Sequence, residues 1–267
     1  MMLQRVGNAF SRGGGGVNVL RRMLSSYSVR PSGQVVGGFH LRNEEDYRLF
    51  FQDAAGNTIS PWHDIPLYAD EAAGVLNFVN EIPKGAVEKM EVATDEEHNP
   101  IKQDVKKGKL RLYPFESLVN YGCLPQTWED PDHKDASTGM LGDNDPVDIV
   151  EVGDRVALSG EVYQVKLIGI LGMIDEGEMD WKAIAIDVND PNAASINSVE
   201  DLEKYQPGKV KAITDWFKTY KMPDGKPENE FAFDDKAMDA AFAHDIVKLT
   251  HNLWKETANL KKNDLWA

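Results

Sequence analysis

Three aspartates fall within six residues, in the run Gly142-Asp143-Asn144-Asp145-Pro146-Val147-Asp148. Pro146 keeps this run from forming a regular helical turn, so the carboxylates are presented from an extended or turning segment. If they converge to about 5 Å at an effective dielectric near 20, each pair repels by roughly 3 kcal/mol. Three such pairs cost about 10 kcal/mol, comparable to a whole domain's stability of about 5–15 kcal/mol. A converged cluster therefore calls for cations, and oxygen-only ligands favour hard ions such as Mg²⁺. A lone triplet could also splay into water as a solvated acidic turn. A second acidic run, Asp175-Glu176-Gly177-Glu178-Met179-Asp180-Trp181-Lys182, raises the odds of a metal site. It sits between two apolar strands, which carry their end residues to a common rim.

A calcium-loop reading of Asp143–Asp145 fails. That loop needs Gly at its sixth position and Glu at its twelfth; here those positions hold Asp148 and Asp154, and Pro146 stands at the fourth. Lys89, Arg111, Lys182 and Lys221 are scattered, and spacing alone does not single them out.

The elements that must position these groups read mainly as strands. Leu76–Ile82, Val87–Ala93, Lys109–Tyr113, Val147–Val152, Arg155–Leu158, Glu161–Met173 and Trp181–Val188 are rich in β-branched residues and separated by Gly, Asp or Asn turns. In Val87–Ala93 the period of two sets Lys89 and Glu91 on one face. Short strands at close spacing suggest a small antiparallel barrel. Helical spacing comes late: Val210, Ile213, Phe217 and Tyr220 form one stripe, and a second helix is expected over about 235–257 with Phe242, Ile246, Leu249 and Leu253 inward. The simplest organisation is a single α+β domain.

Composition narrows the function. All 44 acidic residues, but only 23 of the 29 basic ones, lie from Glu44 onward, leaving that body at −21. Such a surface repels nucleic-acid phosphates. It would also repel an anionic small substrate unless a local cationic or metal-filled site reverses the field. The single cysteine, Cys123, rules out an internal disulfide framework and fits a reducing compartment. No stretch approaches the roughly 18 apolar residues of a membrane span. The first 30 residues are rich in Arg and Ser and free of acid. That is the composition of an organelle transit peptide, and Arg22-Met23-Leu24-Ser25-Ser26 looks like a mitochondrial processing site. A mitochondrial address is favoured over a plastid one; without such an address the chain would be cytoplasmic. The domain is expected over residues 31–267, after a disordered leader over 1–30.

A set of motifs then occurs in order: Glu81-Ile82-Pro83-Lys84, Lys89-Met90-Glu91, Lys107–Arg111, Asn120-Tyr121-Gly122, Pro125–Pro131, the two acidic runs, and Trp216-Phe217-x-x-Tyr220-Lys221-x-Pro223-Asp224-Gly225-Lys226-Pro227. The chain resembles a soluble family I inorganic pyrophosphatase of the eukaryotic type. The resemblance runs from about Trp62 to Trp254. It implies an α+β fold with an OB-like five-stranded antiparallel β-barrel, flanking strands and C-terminal helices. It also implies hydrolysis of diphosphate to two orthophosphates with several Mg²⁺ ions per active site, and a homodimer. Carried over residue by residue, Asp143, Asp148 and Asp180 look like ligands of the two activating metals. Asp175 and Asp180 look like ligands of a metal that arrives with substrate, and Glu81 and Glu91 like carboxylates that hold metal ions through water. Asp145 resembles the general base. Lys89, Arg111, Tyr121, Lys182, Tyr220 and Lys221 resemble phosphate-contacting groups.

Two departures stand out. Family members carry a second tyrosine four residues before that of Asn-Tyr-Gly, where this chain has Ser117 in a shortened segment. Gly85 stands where fungal relatives have a bulky residue near the subunit contact. A non-catalytic binding protein on the same fold is the competing reading. The completeness of both Asp clusters speaks against it, and Ser117 is the one feature in its favour.

Overall fold

Strands of 4 to 14 residues, rich in apolar and β-branched side chains, close on themselves here rather than forming an open sheet. The computed structural model describes residues 26–33, 35–36, 39–40 and 44–260. Residues 1–25 of the expected leader therefore lie outside the described residues. The expected boundary at residue 30 falls inside strand β1 (Ser28–Ser32), which pairs with β2 (Arg48–Gln52).

The barrel is built from β3 (Val75–Ile82), β6 (Asn120–Cys123), β7 (Asp148–Glu151), β8 (Val162–Asp175) and β9 (Glu178–Asp187). Between β3 and β6 come β4 (Met90–Val92) and β5 (Ile101–Gln103), which pair with each other and, through β5, with β2. Around the barrel β3 pairs with β6, β6 with β7, β7 with β9, β9 with β8, and β8 returns to β3. The five strands thus form a closed ring with no free edge inside it. Four of these pairings are antiparallel, and β7–β9 is parallel. The long hairpin β8–β9 causes this departure from an all-antiparallel barrel, because it brings β9 back beside β7 in the same direction.

Alternate residues of β9 serve two cores. Ile184 and Ile186 pack in the cluster that reaches Phe217, while Ala183 and Ala185 pack in the one that contains Ala243, Ile246 and Val247. The period of two puts Asp180 and Lys182 on the face of Ile184. Each fully buried Ile, Leu or Phe here contributes about 1.5–3 kcal/mol, enough to hold two charged residues in a wall that is otherwise apolar.

Among the described residues three α-helices follow: α1 (Val199–Tyr205), α2 (Lys209–Thr219) and α3 (Ala240–Leu260). The stripe on α2 turns Ile213 and Phe217 inward. The second expected helix begins five residues late. Phe233, Asp234 and Asp235 all have positive φ (59°, 56° and 63°), a left-handed run that no right-handed helix can include. Arg155–Leu158 is not a strand. The Arg155 guanidinium is held by Glu161 at 2.7 Å and Asp187 at 3.2 Å, in a loop. Lys109–Leu110 pairs with Val105–Lys106, and beyond it the strand expected to reach Tyr113 continues as a single antiparallel bridge between Leu112 and Glu88.

Candidate active site

Barrel register brings the first charged groups together. In the parallel pair Asp148 lies opposite Lys182, and in the neighbouring pair Asp148 lies opposite Cys123. The Lys182 ammonium donates to the carboxylates of Asp148 and, at 2.5 Å, Asp180, and to the Tyr121 hydroxyl at 3.1 Å. Tyr121 in turn donates to Asp148. Gly122 has to be glycine, because a Cβ there would lie 2.1 Å from the Val79 carbonyl oxygen of β3.

The loop with the three aspartates is stapled to the segment 124–130. Asn144 donates its N–H to the Glu129 carbonyl at 2.8 Å, and Glu129 returns one to Asp145 at 2.9 Å. The Trp128 indole N–H reaches Asn144 Oδ1 at 3.1 Å, and Val147 N–H reaches Thr127 Oγ1 at 3.0 Å. Asn144 takes positive φ (74°), which asparagine tolerates. Gly142 passes so near that a Cβ would meet the Glu129 carbonyl oxygen at 2.3 Å. These contacts explain in physical terms why the Pro125–Pro131 motif and the acidic run belong together.

The opposite wall carries the remaining cations. Lys89 pairs with Glu91 at 2.5 Å and with Asp104 at 3.3 Å, and Asp104 also takes Arg111 Nη1 at 2.8 Å. Lys221, just beyond the end of α2, pairs with Asp175 at the end of β8. All thirteen residues expected at the site line one cavity of about 450 Å³. Ser117 does not: its hydroxyl donates to the Val119 carbonyl at 2.7 Å, away from the cavity.

The lining is over-supplied with negative charge, with eight carboxylates against five Lys and Arg. Burial pushes several carboxyls up, and their neighbours add to it. Burial and the charges of Asp180 and Asp145 raise Asp143. Burial is also the main cause at Asp180, raised to about 7 against the opposing pull of Lys182. Asp145, raised to about 6, is crowded first by protein atoms and then by Glu91 and Asp148, although its side chain opens on the cavity. Glu81 is raised by burial and by Asp148. For Lys182 burial acts to lower the pKa, but Asp148 and Asp180 win and keep the ammonium charged.

Sequence reasoning missed Glu129. Its carboxylate and those of Asp143 and Asp180 bring oxygens within 4.8 Å of one another. Glu129 Oε1 accepts the Trp181 N–H at 2.9 Å, while Oε2 is buried with no hydrogen-bond partner. An unsatisfied buried carboxylate oxygen is costly, and it fits a hard cation held by Glu129, Asp143 and Asp180. Asp148 and Asp175 engage lysines, and Asp180 does both, since its carboxylate also holds Lys182. Asp104 and Tyr113 were missed as well. Asp104 ties Lys89 to Arg111, and Tyr113 lines the cavity.

A family profile described as inorganic pyrophosphatase matches residues 78–255, the stretch that holds every charged residue of the cavity. The chain belongs to the inorganic pyrophosphatase family. It is 53% identical over 223 residues to the human inorganic pyrophosphatase, covering 82% of this chain and 76% of that one. It is 52% identical over 231 residues to the chloroplastic soluble inorganic pyrophosphatase 1 of Chlamydomonas reinhardtii, covering 86% and 79%. The fold is similar to that of an N-terminally truncated Trypanosoma cruzi vacuolar soluble pyrophosphatase solved in complex with PPi. The TM-score is 0.80 at 37% identity, covering 98% of this chain and all of that one. No helix among the described residues is long and apolar enough to cross a membrane.

Proposed function

We propose that this chain, a metal-dependent hydrolase of inorganic diphosphate by its family, works with several Mg²⁺ ions and uses Asp145 as the general base. The buried, partnerless Glu129 Oε2 beside Asp143 and Asp180 carries the reading. Glu129, Asp143 and Asp180 would hold one cation. Asp148, Asp175 and Glu91 would hold others where their lysines turn to substrate, joined by Glu81, whose carboxylate accepts the Val92 N–H. Bound Mg²⁺ supplies charge neutralisation and lowers the pKa of water toward neutrality.

The protein groups divide the remaining work. Lys89, Arg111, Lys182 and Lys221 face a substrate whose negative charge the body would otherwise repel, and they stabilise the charge that develops on the phosphate oxygens. Lys182 and Lys221 are held by carboxylates, so phosphate has only to compete for cations already in position. Tyr121 and Tyr220 add hydroxyl donors. Asp145 is flanked by ligands on both sides, opens on the cavity, and has no side-chain hydrogen bond among the described residues. It is thus free to take the proton of the attacking water. The test is orthophosphate release from diphosphate by residues 26–267. Release with Mg²⁺ that stops with EDTA is expected, and release unaffected by EDTA would overturn the metal assignment.

The same reading takes residues 1–30 as an organelle address, mitochondrial in preference to plastid, and the protein as a homodimer. Composition supports the first, although the Chlamydomonas relative is named chloroplastic. Exposed Leu112, Phe115 and Leu118 on one short segment support the second. A reporter carrying residues 1–35 that stays in the cytosol overturns the address. A monomer mass by light scattering overturns the dimer.

A further inference from the structure

Tyr113 is a cavity residue that no motif marked. Residues 111–113 run extended beside 87–89: Lys89 N–H donates to the Arg111 carbonyl at 3.2 Å, and Tyr113 N–H to the Val87 carbonyl at 2.7 Å. The period of two turns Arg111 and Tyr113 to one side and leaves Leu112, 58% exposed, on the other. The ring is clamped edge-on by Trp216 and Tyr220, with centroids 4.8 and 5.6 Å away, so its hydroxyl is aimed with little rotamer freedom. Lys89, Lys182, Arg111 and Asp148 all act on it electrostatically. Three cations and one anion surround a phenol that burial pushes up to about 12, so it carries its proton through the neutral range. Tyr121 donates its proton to Asp148, but Tyr113 donates to no described residue, although it is only 7% exposed. Its hydroxyl is not sealed in the way Glu129 Oε2 is, but opens on the cavity, where an arriving acceptor can take its hydrogen bond. The acceptor that fits a pocket of cations is an anionic oxygen.

We propose that the Tyr113 hydroxyl donates a hydrogen bond to a phosphate oxygen of diphosphate bound between Lys89, Arg111 and Lys182, which makes Tyr113 a substrate-binding residue. The proposal rests on the reading of those three cations as phosphate ligands. It also accounts for the shortened segment before Tyr121: Ser117 is turned onto the backbone, and a hydroxyl enters the cavity from Tyr113 instead.

The test is Tyr113→Phe in the full Mg²⁺-loaded enzyme. It keeps the ring contacts, so melting temperature and Mg²⁺ activation should be unchanged. Loss of a hydrogen bond to a charged acceptor predicts about a tenfold or greater fall in kcat/KM. It predicts a similar weakening of inhibition by methylene diphosphonate, whose affinity is read without turnover. Ser117→Ala should alter neither by more than about twofold. Unchanged diphosphonate affinity in Tyr113→Phe overturns the proposal, whatever happens to turnover, and so does a loss found in Ser117→Ala instead. If Lys89→Met and Lys182→Met leave diphosphonate affinity intact, the reading of the cations fails by itself, separately from Tyr113.

Discussion

Asp148 and Lys182 face each other across the parallel pair of barrel strands, joined by a hydrogen bond, with Asp180 on the ammonium's other side. Backbone register fixes this pairing, so the lysine cannot leave without stranding two carboxylates in a wall where it is only 2% exposed itself. Breaking a buried pair by removing one partner costs about 3–5 kcal/mol. Lys182→Met should therefore lower the melting temperature in EDTA by roughly 6–20 °C. Mg²⁺ should recover most of that, by neutralising the same carboxylates. A variant that melts like the parent in EDTA would show that Lys182 carries no compensating charge.

Glu129 makes a separable prediction, because its two oxygens do different things. Glu129→Gln can keep the bond to the Trp181 N–H through its carbonyl, while it removes the charge beside Asp143 and Asp180. The Mg²⁺ concentration for half-maximal activity should rise about 10–100-fold, the usual scale for losing a group that supports a metal site. Turnover at saturating Mg²⁺ should fall much less. An unaltered Mg²⁺ dependence would remove Glu129 from the ligand set.

That Glu129 escaped the sequence and the aspartates did not has a simple cause. Asp143, Asp145 and Asp148 announce themselves by crowding within one loop. Glu129 stands beside Asp130 and Asp132 in a separate run, where nothing local marks which acid turns inward, and only the barrel brings it to Asp180 on another strand. The fold divides in the same way. Long apolar runs such as Val75–Ile82 and Val162–Asp175 were legible because each buries its own side chains. The parallel β7–β9 pair was not, because no local pattern encodes which strand lies beside which. Helix α1 was missed because just one of its seven residues, Leu202, is buried. The start of α3 was misjudged because Phe233–Asp235 are left-handed, an arrangement that lets Phe233 stack on Trp181 with centroids 6.3 Å apart.

Asp145→Asn tests the proton acceptor. The amide keeps the shape of the side chain, and the loop's bonds to Glu129 run through the backbone, so fold and Mg²⁺ binding should survive. Turnover should drop about 10²–10⁴-fold, the span expected for loss of a general base. Stopped-flow or steady-state rates within a few-fold of the parent would move the role to another group.

The crowded carboxyls also set a pH signature for the metal-free protein. An ordinary carboxyl in the unfolded chain loses its proton near pH 4, whereas Asp180 in the folded chain keeps it to about 7, with Asp143 and Glu129 raised as well. Between those values the folded state holds more protons than the unfolded one, so stability must fall as pH rises. Other carboxyls work in the opposite direction. Asp104, held low by Lys89 and Arg111 against the effect of its burial, gives stability that is already complete by about pH 5. Between about pH 5.5 and 7.5 the cluster acts against His244 and His251, whose imidazoles burial holds below their ordinary value so that they add stability as pH rises; with more groups shifted, the cluster should prevail. In EDTA the melting temperature should decline across that window. In excess Mg²⁺ the decline should vanish or reverse, because the cation replaces the protons on those oxygens. A metal-free melting temperature that follows the same pH course in Asp180→Asn as in the parent would mean that Asp180, Asp143 and Glu129 are not crowded as the structure has them.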